Sequence, residues 1–580
     1  MPDDDFKPRV GRIRDSSRTR QLSFKQQVLG KAGKSGLRAR RQTGHIAPRS
    51  LSRGMGTGVR AASGLIAPGS RRVIVKARYT RIVGGDLGAA RAHLKYIQRD
   101  GVTREGAPGQ LYDRDSDHVD GGAFLDRSET DPHQFRFIVS AEDSARLTNL
   151  EPFVRDLMRQ MERDLDTRLD WIAVDHFNTG HPHTHIVIRG KDDQGKDLVM
   201  ARDYIGHGVR ARAQGLITLE LGRETELERL QKFHNEVEQE RLTRLDRAIL
   251  MRAKDGILVV TVEQEHDPVQ RALRFGRLKK LEQLGLAAER QTGVWQLDAR
   301  MEPNLRQLGD RADKVKMMQR ALKEAGIDRA ASQLALFEKR PRNQPLIGKV
   351  VGVGLVDEIT DRTWIVLDAV DGRVHYAELG RLKPVDVPVR GMLGALGGDG
   401  VQEKPSAVPR LHVLSPVDVQ RHTAYEGPTW LDETIIAKWS PEPGLRGFAT
   451  ELRATISARG QWLAERQLAK VAGAGAVTPL PGMMTGLRKL ETERLVKDLS
   501  KHLAAAFMPA TPGVRISGIY DRAIATPTGK IAVIRREDTF TLAPWKPALE
   551  AMRGLAVSGI VGPNRTTWTL DRGRGLPTRG

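Results

Sequence analysis

Two apolar segments joined by a short Gly/Pro turn constrain this chain more than any other feature. Leu169-Asp-Trp-Ile-Ala-Val-Asp-His176 reads as a strand, Asn178-Thr-Gly-His-Pro182 as a turn, and His183-Thr-His-Ile-Val-Ile-Arg189 as a second strand. So short a connection makes the strands antiparallel neighbours. Alternation along a strand sends the rings of His183 and His185 out of one face, and the hairpin brings His176 alongside them. Three imidazoles so placed can converge on one divalent ion and leave open coordination positions, which suits Lewis-acid catalysis better than a closed structural site. His181 competes for the third place, although Pro182 redirects it.

The flanking sequence supplies the rest of a domain. Arg72–Ile82 and His133–Ser140 have strand patterns, Leu87–Arg99 reads as a helix, and Leu150–Leu165 as an amphipathic helix. Asp100–Pro132 is polar and long, as functional or mobile loops are. Residues 72–215 are therefore expected to form an α+β unit around an antiparallel sheet.

Ahead of it, residues 1–71 are rich in Arg, Gly and Ser and read as a basic disordered arm. Residues 1–72 carry 17 Lys and Arg against four Asp, a surplus of 13 out of the chain's net +22. Such an excess points to a polyanionic partner, most often nucleic acid. Behind the domain, 216–340 reads as helical, with a helix from Asp267 and a hairpin around Thr292-Gly293 that resemble a winged helix. Residues 341–390 alternate like a small β-barrel, 391–410 form a Gly/Pro-rich linker, and 411–580 are mixed α/β. No fixed-period repeat is evident.

Composition excludes several classes. There is no cysteine among the 580 residues, so no disulfide, thiolate metal site or cysteine nucleophile exists, and a reducing cytoplasm is expected. No apolar run reaches 18 residues and the N-terminus lacks a leader pattern, so neither membrane insertion nor secretion is expected. A nucleophile must come from elsewhere. Tyr96 sits between Lys95 and Arg99 in His93-Leu-Lys-Tyr-Ile-Gln-Arg-Asp-Gly101. Neighbouring cations favour a phenolate and also bind phosphate. Tyr204 is a conceivable second nucleophile, and Trp171 and Trp295 read as packing residues.

Here the residues reach a known family. The His-x₆-His-x-His of 176–185 resembles the metal motif of the relaxases, the conjugative mobilization nucleases of the HUH single-strand endonuclease superfamily. The stretch 93–101 is similar to the nucleophile motif of the T-DNA border nuclease branch. Phe135-Arg-Phe-Ile-Val-Ser-Ala-Glu-Asp143 is similar to the motif between them, and the order is also that family's. Residues 216–580 resemble the long C-terminal region of a rhizobial-type subgroup. The resemblance implies an HUH nuclease domain with Tyr96 as nucleophile and His176, His183 and His185 holding Mn, Mg, Zn or Ni. It implies nicking of one strand at an origin of transfer through a 5′-phosphotyrosyl intermediate. The implied partners are single-stranded origin DNA, relaxosome accessory proteins and a secretion coupling protein, in a cytoplasmic protein that can be translocated with its DNA. Several family members place an acidic residue between the first His and the pair, and this chain does not. Asp175 is the nearest candidate to orient an imidazole, and Lys95, Arg99 and Arg189 are candidate phosphate contacts. The alternatives are a rolling-circle initiator or transposase of the same superfamily, a non-catalytic DNA-binding regulator, and a hydrolase using activated water.

Overall fold

The structure is a computed structural model that describes residues 69–82, 87–99, 102–177, 182–261, 266–338, 344–357, 362–382, 386–397, 408–472, 476–511, 513–562 and 566–569. The fold is mixed α/β with several antiparallel sheets, and it divides into two compact units, residues 1–309 and 310–580.

The first unit is built on a four-stranded antiparallel sheet. In chain order its elements are β1 (Val73–Arg81), helix α1 (Gly88–Ile97), helix α2 (Gly121–Arg127), β2 (His133–Ala141), helix α3 (Glu151–Leu165), β3 (Trp171–His176), β4 (His183–Arg189) and helix α4 (Val209–Leu221). The strand order is β1-β2-β4-β3, so the hairpin partner β4 also pairs with β2 and becomes central. Alternation sorts the side chains into two layers. Phe135, Phe137, Trp171, Ala173, Ile186 and Ile188 pack under α3 and α4. Ile172, Val174 and Val187 leave the other face and pack under α1 and α2. Trp171 is 3% exposed, as a packing residue should be.

Three sequence-based boundaries shift. Residues 1–68 of the expected arm lie outside the described residues, but Arg71 is part of the folded unit: it is buried, with Nη1 donating to Asp143 at 2.7 Å and Nε to the Gly222 carbonyl at 2.8 Å. The expected loop 100–132 is largely pinned. Val102, Leu111, Tyr112, Phe124 and Leu125 are buried, and Tyr112 exchanges two backbone hydrogen bonds with Ala173 along the outer edge of β3. Apolar residues scattered through a polar stretch carry no period, so the sequence hides this coverage. The expected end at 215 falls inside α4.

The first unit continues with α5 (Glu226–Val237), α6 (Arg244–Arg252), β5 (Ile257–Val259), α7 (Pro268–Gln283), β6 (Ala287–Gln291), β7 (Val294–Leu297) and the start of α8 (Met301–Glu324). The three strands form a sheet in the order β5-β7-β6, with the fully buried Trp295 in its core. Asp267 caps α7 by accepting from Val269 and Gln270, and Pro268 occupies the first turn. Inside this module the Arg277 guanidinium is fully buried. It donates to both Asp246 oxygens at 2.8 and 2.9 Å and to the carbonyls of Val237, Gln239 and Arg241.

The second unit opens with a six-stranded sheet of β8 (Leu334–Leu336), β9 (Leu346–Asp357), β10 (Arg362–Ala369), β11 (Val374–Arg381), β12 (Leu393–Gly397) and β13 (Arg410–Ser415). The first part of the linker expected over 391–410 is strand: β12 pairs with β9 and buries Leu393 and Leu396 completely, while 398–407 lie outside the described residues. Glycines at 391, 394 and 397 mimic a linker composition; at 394 the reason is packing, since a Cβ there would come within 2.5 Å of Leu411. There follow α9 (Trp430–Ile436), α10 (Phe448–Glu465), β14 (Ala469–Val471), β15 (Val477–Pro479) and α11 (Met483–Leu503). A second six-stranded sheet comprises β16 (Ala506–Phe507), β17 (Arg515–Thr526), β18 (Gly529–Arg535), β19 (Thr539–Pro544), β20 (Ala556–Val561) and β21 (Thr566–Thr569). Arg459, on α10, is also fully buried against Asp432. Among the described residues, no helix is long and apolar enough to cross a membrane.

Removing one partner of a buried pair strands the other charge and costs about 3–5 kcal/mol. Asp246→Ala is therefore expected to lower the thermal unfolding midpoint of the first unit sharply, and Asp432→Ala that of the second. Arg320→Ala breaks an exposed pair with Glu324, and calorimetry should show a change below about 1 kcal/mol.

Candidate metal centre

The hairpin register places His176 directly across from His183, and Val174 across from His185. All three rings therefore leave the face covered by α1, beside Val174 and Val187. They are buried, at 0%, 8% and 2% exposure for His176, His183 and His185. Ring centroids are 5.2 Å apart for 176–183, 4.4 Å for 176–185 and 5.2 Å for 183–185. One nitrogen from each lies within 4.8 Å of the other two, so the triad can hold a metal ion.

A second feature prepares His176 for that role. Its Nε2 lies 2.7 Å from the Ile97 carbonyl oxygen, at the last residue of α1. A carbonyl only accepts, so Nε2 carries the proton and the buried Nδ1 carries the lone pair. The donor set is all nitrogen, which suits Zn, Ni or Mn better than the oxygen-seeking Mg. His181 lies outside the described residues.

The same bond anchors α1 to the triad. Tyr96 immediately precedes Ile97, is half-buried, and packs at the edge of the core that α1 shares with Val174 and Val187. The Arg99 guanidinium lies 4.1 Å from the centroid of the Tyr96 ring, over its face, and donates to the Tyr96 carbonyl at 3.1 Å. Lys95 and Arg99 line an open groove of about 670 Å³ between α1 and α2. Tyr96, Lys95, Arg99 and the three histidines are thus brought to one side of the sheet.

Two candidates belong elsewhere. Asp175 precedes His176 on the strand, so its carboxylate leaves the opposite face, where it accepts from Tyr112 at 2.9 Å and from Thr184 at 2.5 Å. It does not orient an imidazole. Burial raises its carboxyl to about 6 against the opposing pull of those two hydroxyls. Arg189 lies at the far end of β4, bidentate on Asp131 at 2.9 and 3.0 Å and bonded to Asp170 at 3.1 Å. With those three bonds it is a tie between β4, β3 and the segment before β2, not a phosphate contact. Tyr204 is fully buried on the α3 face and donates to Asp164 at 3.0 Å; burial and that carboxylate push its hydroxyl far above the usual range. It is no second nucleophile.

The face also holds residues that sequence reasoning passed over. His93, one turn before Tyr96, is buried with its ring 6.4 Å from that of His185. Lys76, Arg78 and Arg136 share the histidine face, because Ile138 pairs with both Lys76 and His185 and Arg136 with both Arg78 and Val187. Strand periodicity places each on a face, but only the order β1-β2-β4-β3 reveals that the faces coincide.

A family model described as a protein of unknown function, DUF3363, matches residues 274–407 and 400–577, beyond the candidate site. No curated protein and no solved structure matches the chain.

Equilibrium dialysis with Zn²⁺, Ni²⁺ or Mn²⁺ is expected to find one ion per chain. His183→Ala or His185→Ala should weaken binding by about 100-fold or more, whereas Asp175→Asn should leave stoichiometry and affinity unchanged and cost about 1 kcal/mol of stability.

Proposed function

We propose that this chain, which belongs to the DUF3363 family by a match over more than half its length, is a relaxase that nicks one DNA strand at an origin of transfer and starts conjugative mobilization. The observation that carries the reading is the docking of α1 on the triad: the carbonyl that holds His176 follows Tyr96 directly in the chain. A nucleophile candidate and a Lewis-acid site on the same buried face are what in-line phosphoryl transfer to tyrosine requires.

His176, His183 and His185 would hold a divalent ion, and the chemistry it would supply is Lewis-acid withdrawal of charge from the scissile phosphate. The chain's own groups do the rest. Lys76 and Arg78 meet phosphates of a single strand laid across β1, while the buried Arg136 is held by Gln134 beneath them. Lys95 and Arg99 meet phosphates along α1, and Arg99 restrains the Tyr96 ring by stacking on it. The Tyr96 oxygen attacks phosphorus, a Tyr96 Oη–P bond forms, and the bond from phosphorus to the 3′-oxygen breaks. The phenolic proton ends on the departing 3′-oxygen. One phosphodiester replaces another, so the step is close to thermoneutral and reversible, as religation after transfer demands.

The test is a denaturing-gel assay with labelled single-stranded DNA tiled across the adjoining origin region. A covalent adduct is expected that requires divalent metal and is absent with Tyr96→Phe. His183→Ala should slow its formation by about 10³-fold, the several kcal/mol that Lewis-acid stabilisation provides. An adduct that survives Tyr96→Phe, or DNA binding at the true origin with no adduct, overturns the reading in favour of another nucleophile or a non-catalytic DNA-binding protein.

A further inference from the structure

The two fully buried arginines sit in matching cages. Arg277 donates Nε and Nη2 to the two oxygens of Asp246 at 2.8 and 2.9 Å, and Arg459 does the same to Asp432 at 2.8 and 2.9 Å. Their remaining donors reach alternate carbonyls, those of Val237, Gln239 and Arg241 in one case and Thr423, Tyr425 and Gly427 in the other. Each aspartate closes a capping box with a threonine three residues earlier, Thr243 or Thr429.

The correspondence runs on past the cages. Leu286 donates to the Leu281 carbonyl after α7, and Leu468 to the Leu463 carbonyl after α10. Both helices lead into a hairpin and then a long helix, entered by Met301 donating to Asp298 and by Met483 donating to Leu480. The spacing is 182 residues from 277 to 459 and again from 301 to 483, and 186 from Asp246 to Asp432 and from Thr243 to Thr429. Each long helix is followed by a six-stranded sheet of the same connectivity. The orders β13-β12-β9-β10-β11-β8 and β21-β20-β17-β18-β19-β16 match strand for strand, including the one parallel pair at the end. Even the turn entering the fifth strand recurs: Gly391 donates to the Val350 carbonyl and Gly554 to the Tyr520 carbonyl.

The copies differ on one helix face. In the second copy, Phe448, Leu452 and Ile456 of α10 are covered by the first six-stranded sheet, against Leu393 and Val419. The same positions of the first copy, 182 residues earlier, are His266, Gln270 and Arg274. Beside them stand Arg271 and the 42%-exposed Phe275. Burial and the nearby Arg252 hold the Arg274 guanidinium below arginine's ordinary range, so two guanidiniums are gathered at this face. A face that is apolar and covered in one copy is polar in the other, with His266 exposed, Gln270 half-buried and Arg274 buried beneath Arg271 and Phe275.

We infer that residues 237–569 are a tandem duplication of one helix–hairpin–sheet module, and that its first copy docks double-stranded DNA through the exposed face of α7. Helix α7 leads directly into the β6–β7 hairpin, as the groove-entering helix of a winged helix leads into its wing, although here a single helix stands between β5 and that hairpin. The B-form major groove is about 12 Å wide and admits a helix, whereas the deep, narrow groove of duplex RNA does not. Arg252 and Arg271 meet the flanking phosphates, while Phe275 offers an apolar contact to base edges. The second copy, in which Phe448, Leu452 and Ile456 are covered and the exposed Ser457 stands where Phe275 does, serves as scaffold. This goes beyond the nicking reaction and uses none of its residues.

The full-length protein would carry the photo-crosslinker p-benzoylphenylalanine in place of Phe275, or at the equivalent Ser457, and be irradiated with a labelled mixed-sequence DNA duplex at near-physiological salt in EDTA. Crosslinking is expected from position 275 and not from 457. Arg252→Ala with Arg271→Ala should cut it by about tenfold, as the loss of two phosphate contacts predicts. Tyr96→Phe should leave it unchanged, so a failed nicking assay and a failed docking assay remain distinguishable. No crosslink from 275, equal crosslinking from both positions, or stronger crosslinking to duplex RNA of the same sequence would overturn the proposal.

Discussion

Antiparallel pairing of His176 with His183 governs the first unit. Strand side chains alternate with a period of two, so a one-residue slip would send every histidine into the α3 layer and every core residue of that layer toward α1. The register is held from both sides, by the buried apolar residues beneath α3 and by those beneath α1. Once it holds, three imidazoles crowd together in a space that excludes water, and their polar nitrogens need partners. The Ile97 carbonyl satisfies one of them and in doing so fixes where α1, and therefore Tyr96, must lie.

A comparable demand organises the rest of the chain. A guanidinium with no exposure needs acceptors for all its donors, and losing any one leaves a charge or a polar group stranded in the core. Arg277 and Arg459 meet that demand with the same aspartate geometry and the same alternate carbonyls. The cage ties the segment before each capped helix to the helix that precedes the hairpin. It thereby sets the module's internal angles. Positions outside the cage drift freely: Arg247 of α6 corresponds to Glu433 of α9, a reversal of charge on an exposed surface. That drift explains why no repeat is evident along the sequence. Single residues kept at fixed spacing leave no periodic texture for the eye.

Much of the candidate site was legible beforehand, because its signals are local. The strands around 171–189, the turn between them and the helix carrying Tyr96 all have their own patterns, and His176, His183 and His185 fall together as expected. What failed was whatever depended on contacts between distant segments. Asp175 looks poised beside His176 in the chain, yet its partner is Tyr112, 63 residues away and on the other face. Arg189 looks like a surface cation until Asp131 and Asp170 arrive from two other segments. The glycine-rich stretch at 391–397 has the composition of a linker, yet Leu393–Gly397 is a strand.

The sequence by itself determined the hairpin, the face on which its histidines emerge and the presence of cations beside Tyr96, since strand and helix periods act over a few residues. Tertiary structure alone decided that β4 is central, that Lys76, Arg78 and Arg136 join the histidine face, and that two caged arginines mark two copies of one module. Those outcomes rest on which distant groups satisfy a buried donor or cover an apolar face, and such free energies are settled only when the whole chain has packed.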